Sequence, residues 1–153
     1  MFRLSRAAEY GVRGILYLAS NYSEDEDKVS VIEEISKAQD VPLPYMAKLF
    51  QTLAKKGFVK SFKGQKGGFV LTRHPKEISL LEVIEAMEGS IFLNVCLFHE
   101  GYCSRDKVCS VHDVWAVAQK RLVDYLRGCN FAEMAISAAK KTKTFSQRKG
   151  GSK

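Results

Sequence analysis

Apolar positions follow two spacings along this chain, and the change between them predicts the elements. Ala8, Val12, Ile15, Leu16 and Ala19 recur at three- and four-residue steps behind Ser5, a side chain suited to capping a helix N-terminus. Ser30-Val31-Ile32-Glu33 has the form of a capping box, which predicts a second helix with Ile32 and Ile35 inward, ending near Asp40-Val41-Pro42. Pro44 suits the first helical position of a third helix, with Met46, Leu49, Phe50 and Leu53 as its buried stripe and Gly57 as its stop. The spacing then shortens. Residues 58–62 and 68–72 read as two strands joined by the flexible basic turn Lys63-Gly64-Gln65-Lys66-Gly67. Two helices joined by a short turn and followed by a hairpin make a winged helix-turn-helix.

Beyond Pro75 the helical period returns. Ser79 and Glu82 repeat the capping-box pattern, with Leu80, Val83, Ile84 and Met87 inward and a stop at Gly89. Residues 94–110 interrupt regular structure. Val111, Val114, Ala118, Leu122, Tyr125 and Cys129 then form the stripe of a long amphipathic helix with no obvious partner in so small a chain. Pairing with a second copy would bury that stripe and give a two-fold reader for a palindromic site. Trp115 is expected to pack at that seam and Cys129 to be a core thiol. The predicted fold class is mainly α with a small β wing: a winged helix-turn-helix plus a long dimerisation helix. The predicted parts are a DNA-binding domain at 1–76, then a linker helix, cysteine loop and dimerisation helix at 77–139, and a basic flexible tail at 140–153.

Charge sharpens the DNA reading. The net +7 is local: residues 48–76 hold eight Lys or Arg and no acid, and residues 140–153 hold six more and no acid, leaving −7 on the other 110. Such a footprint suits phosphate. Tyr45, Lys48, Gln51, Thr52 and Lys55 lie off the apolar stripe of the third helix, free to reach phosphates and base edges in a major groove. Lys63, Gly64, Gln65, Lys66, Gly67 and Gly68 form the wing, whose glycines permit the close backbone approach of a minor-groove contact. The wing lacks the GK[ST] ending of a nucleotide-hydrolase phosphate loop. The acids at 24–27 are expected to form a solvated loop.

The sharpest chemical signal is Cys96, Cys103 and Cys109, separated by six and five residues, with His112 three positions on. Three soft sulfurs and an imidazole on one polar segment suit a transition metal or an iron–sulfur cluster. No apolar run is long enough to span a membrane and the N-terminus lacks a secretory core, so a cytoplasmic chain with thiols rather than disulfides is expected. No CxxC pair is present, no catalytic residue is assigned, and an enzyme is not expected. The alternatives are a regulator using zinc or bare thiols and, further off, a thiol redox enzyme. His99 lies in the same loop at a spacing that matches no ligand pattern.

In order along the chain, Arg3-Leu4-Ser5, Leu43-Pro44-Tyr45-Met46-Ala47-Lys48-Leu49, Leu53-Ala54-Lys55-Lys56-Gly57-Phe58-Val59, the wing through Leu71 and the three cysteines before a long helix together resemble the Rrf2 family. These are small dimeric bacterial transcription regulators of the IscR and NsrR types. The resemblance implies a homodimer on an inverted-repeat site in double-stranded DNA, with a [2Fe–2S] or [4Fe–4S] cluster on Cys96, Cys103 and Cys109 setting DNA affinity. It also implies a fourth ligand: His112 on the pattern of the cluster-assembly regulator, or Glu9 of the other subunit on that of the nitric-oxide sensor. The seven-residue step from Cys96 to Cys103 departs from the six-residue steps of those relatives.

Overall fold

The computed structural model describes residues 3–24 and 28–150, with side chains to residue 148. Asp25, Glu26 and Asp27 of the acidic run and the end of the basic tail lie outside the described residues. Among those described are six α-helices and one antiparallel hairpin: α1 (Arg6–Ser20), α2 (Ile32–Gln39), α3 (Leu43–Lys55), β1 (Val59–Phe62), β2 (Gly68–Leu71), α4 (Leu80–Glu88), α5 (Ser110–Gly128) and α6 (Phe131–Gly150). The mainly helical class with a small β wing is the one expected.

The three N-terminal helices form as their patterns dictate. The Ser5 hydroxyl accepts from the Ala8 N–H and caps α1. Met46, Leu49, Phe50 and Leu53 are the buried side of α3. Met46, Phe50 and Leu53 join Ile15, Ile35, Phe58, Val59, Ile78 and Val83 in one core. Close approach of α1 to its neighbours needs glycine: a Cβ at Gly14 would lie 2.6 Å from the Phe50 ring, and one at Gly11 2.9 Å from Met87. Between α2 and α3, Asp40 takes a left-handed conformation (φ 52°), which a short polar side chain tolerates. The Val41 N–H then reaches back to the Ser36 carbonyl.

One cap differs from expectation. Ser30 does not cap α2; the N-cap is Val31, without a side-chain hydrogen bond. Ser30 is buried and bridges to Phe69, donating its N–H to the Phe69 carbonyl (3.0 Å) and accepting from the Phe69 N–H (2.8 Å). Its backbone thus extends the wing, and the sheet ladder replaces the capping box. At Ser79 the same motif does close: its hydroxyl accepts from the Glu82 N–H, and Glu82 accepts from the Ser79 N–H.

The second unforeseen feature is α6. The Leu80 N–H donates to the Cys129 carbonyl (2.8 Å) and the Phe131 N–H to the Ile78 carbonyl, which turns the chain back on itself. Asn130 then accepts from the Glu133 N–H. Phe131 is fully buried in the main core, with Met134 and Ala135 packed against it. The segment expected as a flexible tail therefore continues a helix to Gly150.

Candidate nucleic-acid interface and cysteine loop

The buried stripe of α3 leaves its other faces to solvent. Lys48, Gln51 and Lys55 are exposed, and Thr52 is half-buried with its hydroxyl donating to the Lys48 carbonyl. Tyr45 is half-buried instead, its ring edge-on to Tyr10 of α1 at 5.7 Å. Tyr10 in turn lies under the guanidiniums of Arg6 and Arg13. The start of α3 is thus tied to α1 through an aromatic contact that sequence spacing does not reveal.

In the wing, β1 and β2 pair with Val59 opposite Leu71 and Phe62 opposite Gly68. Lys63, Gly64, Gln65 and Lys66 are exposed at the tip, and the Gly67 N–H closes the turn on the Gly64 carbonyl. The glycines answer to needs inside the chain. A Cβ at Gly67 would lie 2.5 Å from the Phe62 carbonyl oxygen, and one at Gly68 2.4 Å from that of Ser30. Gly64 has open space around it but sits at φ 105°. Of the eight cations in residues 48–76, Arg73 is engaged internally: it pairs with Glu82 at 2.9 Å and lies over the Phe58 ring.

The cysteine segment is an ordered succession of turns. Asn94 caps a short 3-10 helix, Val95–Leu97, which carries Cys96. Phe92, Phe98, Tyr102 and His99 form a chain of ring contacts with centroids 5.1–5.3 Å apart. The Gly101 N–H donates to the Asp106 carboxylate, and the Asp106 N–H to the Cys103 carbonyl. Cys109 is the N-cap of α5, and its carbonyl accepts from the His112 N–H. The Gln119 side chain fastens the loop to α5, accepting from the Leu93 N–H and donating to the Ile91 carbonyl.

Cys96, Cys103, Cys109 and Cys129 are all free and half-buried. The His112 side chain is 24% exposed, with Nδ1 3.9 Å from the Asp113 carboxylate. Glu9 lies on α1, ion-paired with Arg13 at 2.9 Å and Arg6 at 3.7 Å. In chemistry the loop fits an iron–sulfur cluster, since three unpaired thiols and an imidazole share one segment. In geometry the single chain does not close round a metal: among the described residues no three His, Cys, Asp or Glu side chains are gathered to hold one.

Helix α5 buries none of its residues fully. The expected stripe divides in two. Leu122, with Val123 and Leu126, packs on Leu81, Ile84 and Ile91 within the same chain, and Cys129 is half-buried at the turn. Val111, Val114, Val117 and Tyr125 remain exposed, and Val114, Val117 and Ala118 line an open groove of about 640 Å³ with Asp113 and Arg121. Trp115 is exposed and is not among the residues lining that groove.

The family described as Rrf2, iron-dependent transcriptional regulator, matches residues 4–136. The chain belongs to the Rrf2 family. IscR of Pectobacterium carotovorum is 30% identical over 132 residues, covering 86% of this chain and 78% of that one. A protein of Aquifex aeolicus named among the HTH-type transcriptional regulators is 31% identical over 132 residues, 85% of this chain and 89% of its own. Among solved structures, T. potens IscR is 26% identical with a TM-score of 0.70 over 90% of this chain and 88% of its own. CymR of B. subtilis, described as its global cysteine regulator, shares the fold at 23% identity and a TM-score of 0.74, covering 90% and 98%. This Rrf2 chain is a DNA-binding transcription regulator rather than an enzyme. No helix among the described residues is long and apolar enough to cross a membrane.

Proposed function

We propose that this regulator binds an inverted-repeat promoter site as a homodimer and that an iron–sulfur cluster on Cys96, Cys103 and Cys109 sets its affinity for DNA. The observation that carries the reading is the placement of three free, half-exposed thiols on one ordered loop beside the start of α5. When bound, a cluster supplies reversible redox chemistry and sensitivity to small oxidants. Cys109 and His112 flank the α5 N-terminus, whose partial positive charge favours an anionic group there. His112 is the preferred fourth ligand, because it belongs to the same segment. Glu9 of the partner subunit is the alternative, and its ligation would compete with the Arg13 pair.

The homodimer is supported by the α5 groove. Asp113 and Arg121 lie equally far on either side of Val117. An antiparallel two-fold pairing centred there would join two apolar stripes and set each acid against an arginine of the other copy, a self-complementary pattern. On DNA, Lys48, Gln51, Thr52 and Lys55 of α3 would face the major groove and residues 63–68 the backbone or minor groove. Tyr45 would act from the edge of that surface.

Anaerobic purification with iron and sulfide analysis tests the cluster. Cys96→Ala, Cys103→Ala and Cys109→Ala should each lose the visible absorption, while Cys129→Ala keeps it. Loss in His112→Ala but not Glu9→Ala assigns the local ligand; the reverse assigns the cross-subunit one. The ungathered, free thiols favour a second reading, direct oxidation of the cysteines. It requires colourless, iron-free protein whose DNA affinity responds to peroxide.

A further inference from the structure

The cations of this chain separate by whether a carboxylate answers them. Arg6 and Arg13 share Glu9, Arg73 pairs with Glu82, and Lys120 and Arg127 share Asp124. In two stretches, four or more cations follow one another without such a partner among the described residues and without an acid between them. One is the α3 and wing surface. The other is the second half of α6, with Lys140, Lys141, Lys143 and Arg148.

That half-helix is an arm. Phe131, Met134 and Ala135 anchor the first turns in the core, whereas every described side chain from Ala139 to Arg148 is exposed. Twelve residues at 1.5 Å each carry it roughly 18 Å. The Thr142 hydroxyl donates to the Ala138 carbonyl and the Thr144 hydroxyl to the Lys140 carbonyl, a pattern that does not favour helix. Like charges at Lys140 and Lys143 repel. Yet Lys140, Lys143, Thr144, Gln147 and Arg148 recur at helical spacing on one polar side. A polyanion would supply the missing stabilisation. Thr142 and Ser146 interrupt the opposite side, so the arm lacks the broad apolar face of a helix that lies in a lipid surface.

We propose that the C-terminal half of α6 is a second phosphate-binding surface, lying along duplex DNA that flanks the segment read by α3 and the wing. The proposal rests on the DNA-binding function and adds contacts outside its recognised site. Binding is measured by anisotropy against salt on two duplexes, one trimmed to the site found by operator selection and one extended by about one helical turn (~10 bp) at each end. The full-length protein should show the steeper salt dependence on the longer duplex. Each added phosphate contact makes affinity fall a further three- to fourfold or so for a fourfold rise in salt. The variant Lys140→Gln/Lys141→Gln/Lys143→Gln/Arg148→Gln, with helix content checked by circular dichroism, should lose that excess and keep its affinity for the trimmed site. Lys63→Gln/Lys66→Gln should weaken both duplexes alike. Equal slopes on the two duplexes for the wild type, or an excess slope retained by the quadruple variant, overturns the arm. Binding to phosphatidylserine vesicles without an excess slope on DNA overturns it in favour of lipid. A wild type that binds neither duplex overturns the DNA reading itself.

Discussion

The helix-turn-helix and the cysteine-bearing half of the molecule contrast in how far each satisfies itself. In the first, Ile15, Ile35, Met46, Phe50 and Leu53 reach 0% exposure, and backbone hydrogen bonds close the turns after α2 and α3. In the second, α5 runs 19 residues without one fully buried side chain, Val114 and Tyr125 stand 66% and 72% exposed, and four thiols have no partner sulfur. Apolar surface is costly to leave in water, and exposed thiols are open to oxidation or metal binding. The first region is complete in one chain, whereas the second leaves apolar surface and thiols exposed, which is where the proposed cluster and second copy would sit.

The largest effect should come from breaking the self-sufficient half. Phe50→Ala removes a fully buried ring that touches Phe69 and Gly14, and should cost about 3–5 kcal/mol in denaturant unfolding. Val114→Ala, on the open groove, should leave the chain's own stability nearly unchanged and weaken association. Equal losses from the two would erase the contrast.

Next in size is the reading of DNA. Gln51→Ala removes an exposed side chain of α3 and should cost about 1–3 kcal/mol if it meets a base edge, relaxing specificity at one position. Lys48→Ala should weaken all sequences alike and lower the salt slope by about one contact. Competition binding against a randomised duplex library separates the two.

The dimer prediction is a charge swap. Asp113→Arg and Arg121→Asp should each shift sedimentation towards monomer, and the double variant should restore the dimer if the two copies pair antiparallel about Val117. Leu122, although on the same stripe, packs on Leu81, Ile84 and Ile91 of its own chain and so does not report on the seam.

The smallest effect concerns the joint between the regions. Ser79→Ala opens the capping box of α4 and should cost about 1 kcal/mol. Desolvation pushes the Glu82 carboxyl up, but the hydrogen bonds from Ser79 and the charge of Arg73 outweigh it and hold the group below its ordinary 4.5. A depressed carboxylate stabilises the fold above 4.5 and loses that contribution as pH falls below it. The urea midpoint of wild type should therefore drop more steeply below 4.5 than that of Glu82→Gln.

Much of this was legible in the residues, for reasons the same contrast explains. The α3 stripe, the two wing strands and the Ser79 cap follow local spacing, and each forms where its pattern points. Ser30 misled because a sheet bridge to Phe69 outcompeted a local cap, a long-range choice no four-residue motif records. The return of α6 was hidden for the same reason: Phe131 finds its place in a core built from residues about a hundred positions earlier. The wing glycines read as room for close approach to DNA, and Gly67 and Gly68 make room for backbone of their own chain. In the α5 stripe, helical period identified the apolar positions without showing which of them α4 would cover. The three cysteines were visible as a cluster in sequence, whereas among the described residues their side chains are not gathered round one point.

Operator affinity, measured anaerobically before and after removal of iron, tests most directly whether the cysteine loop governs DNA binding. Wild type should change affinity by about 5- to 150-fold, the range of an allosteric coupling, while Cys96→Ala/Cys103→Ala/Cys109→Ala stays at one value. Iron-loaded and iron-free wild type binding equally tightly, or the triple variant responding as wild type does, would contradict the account.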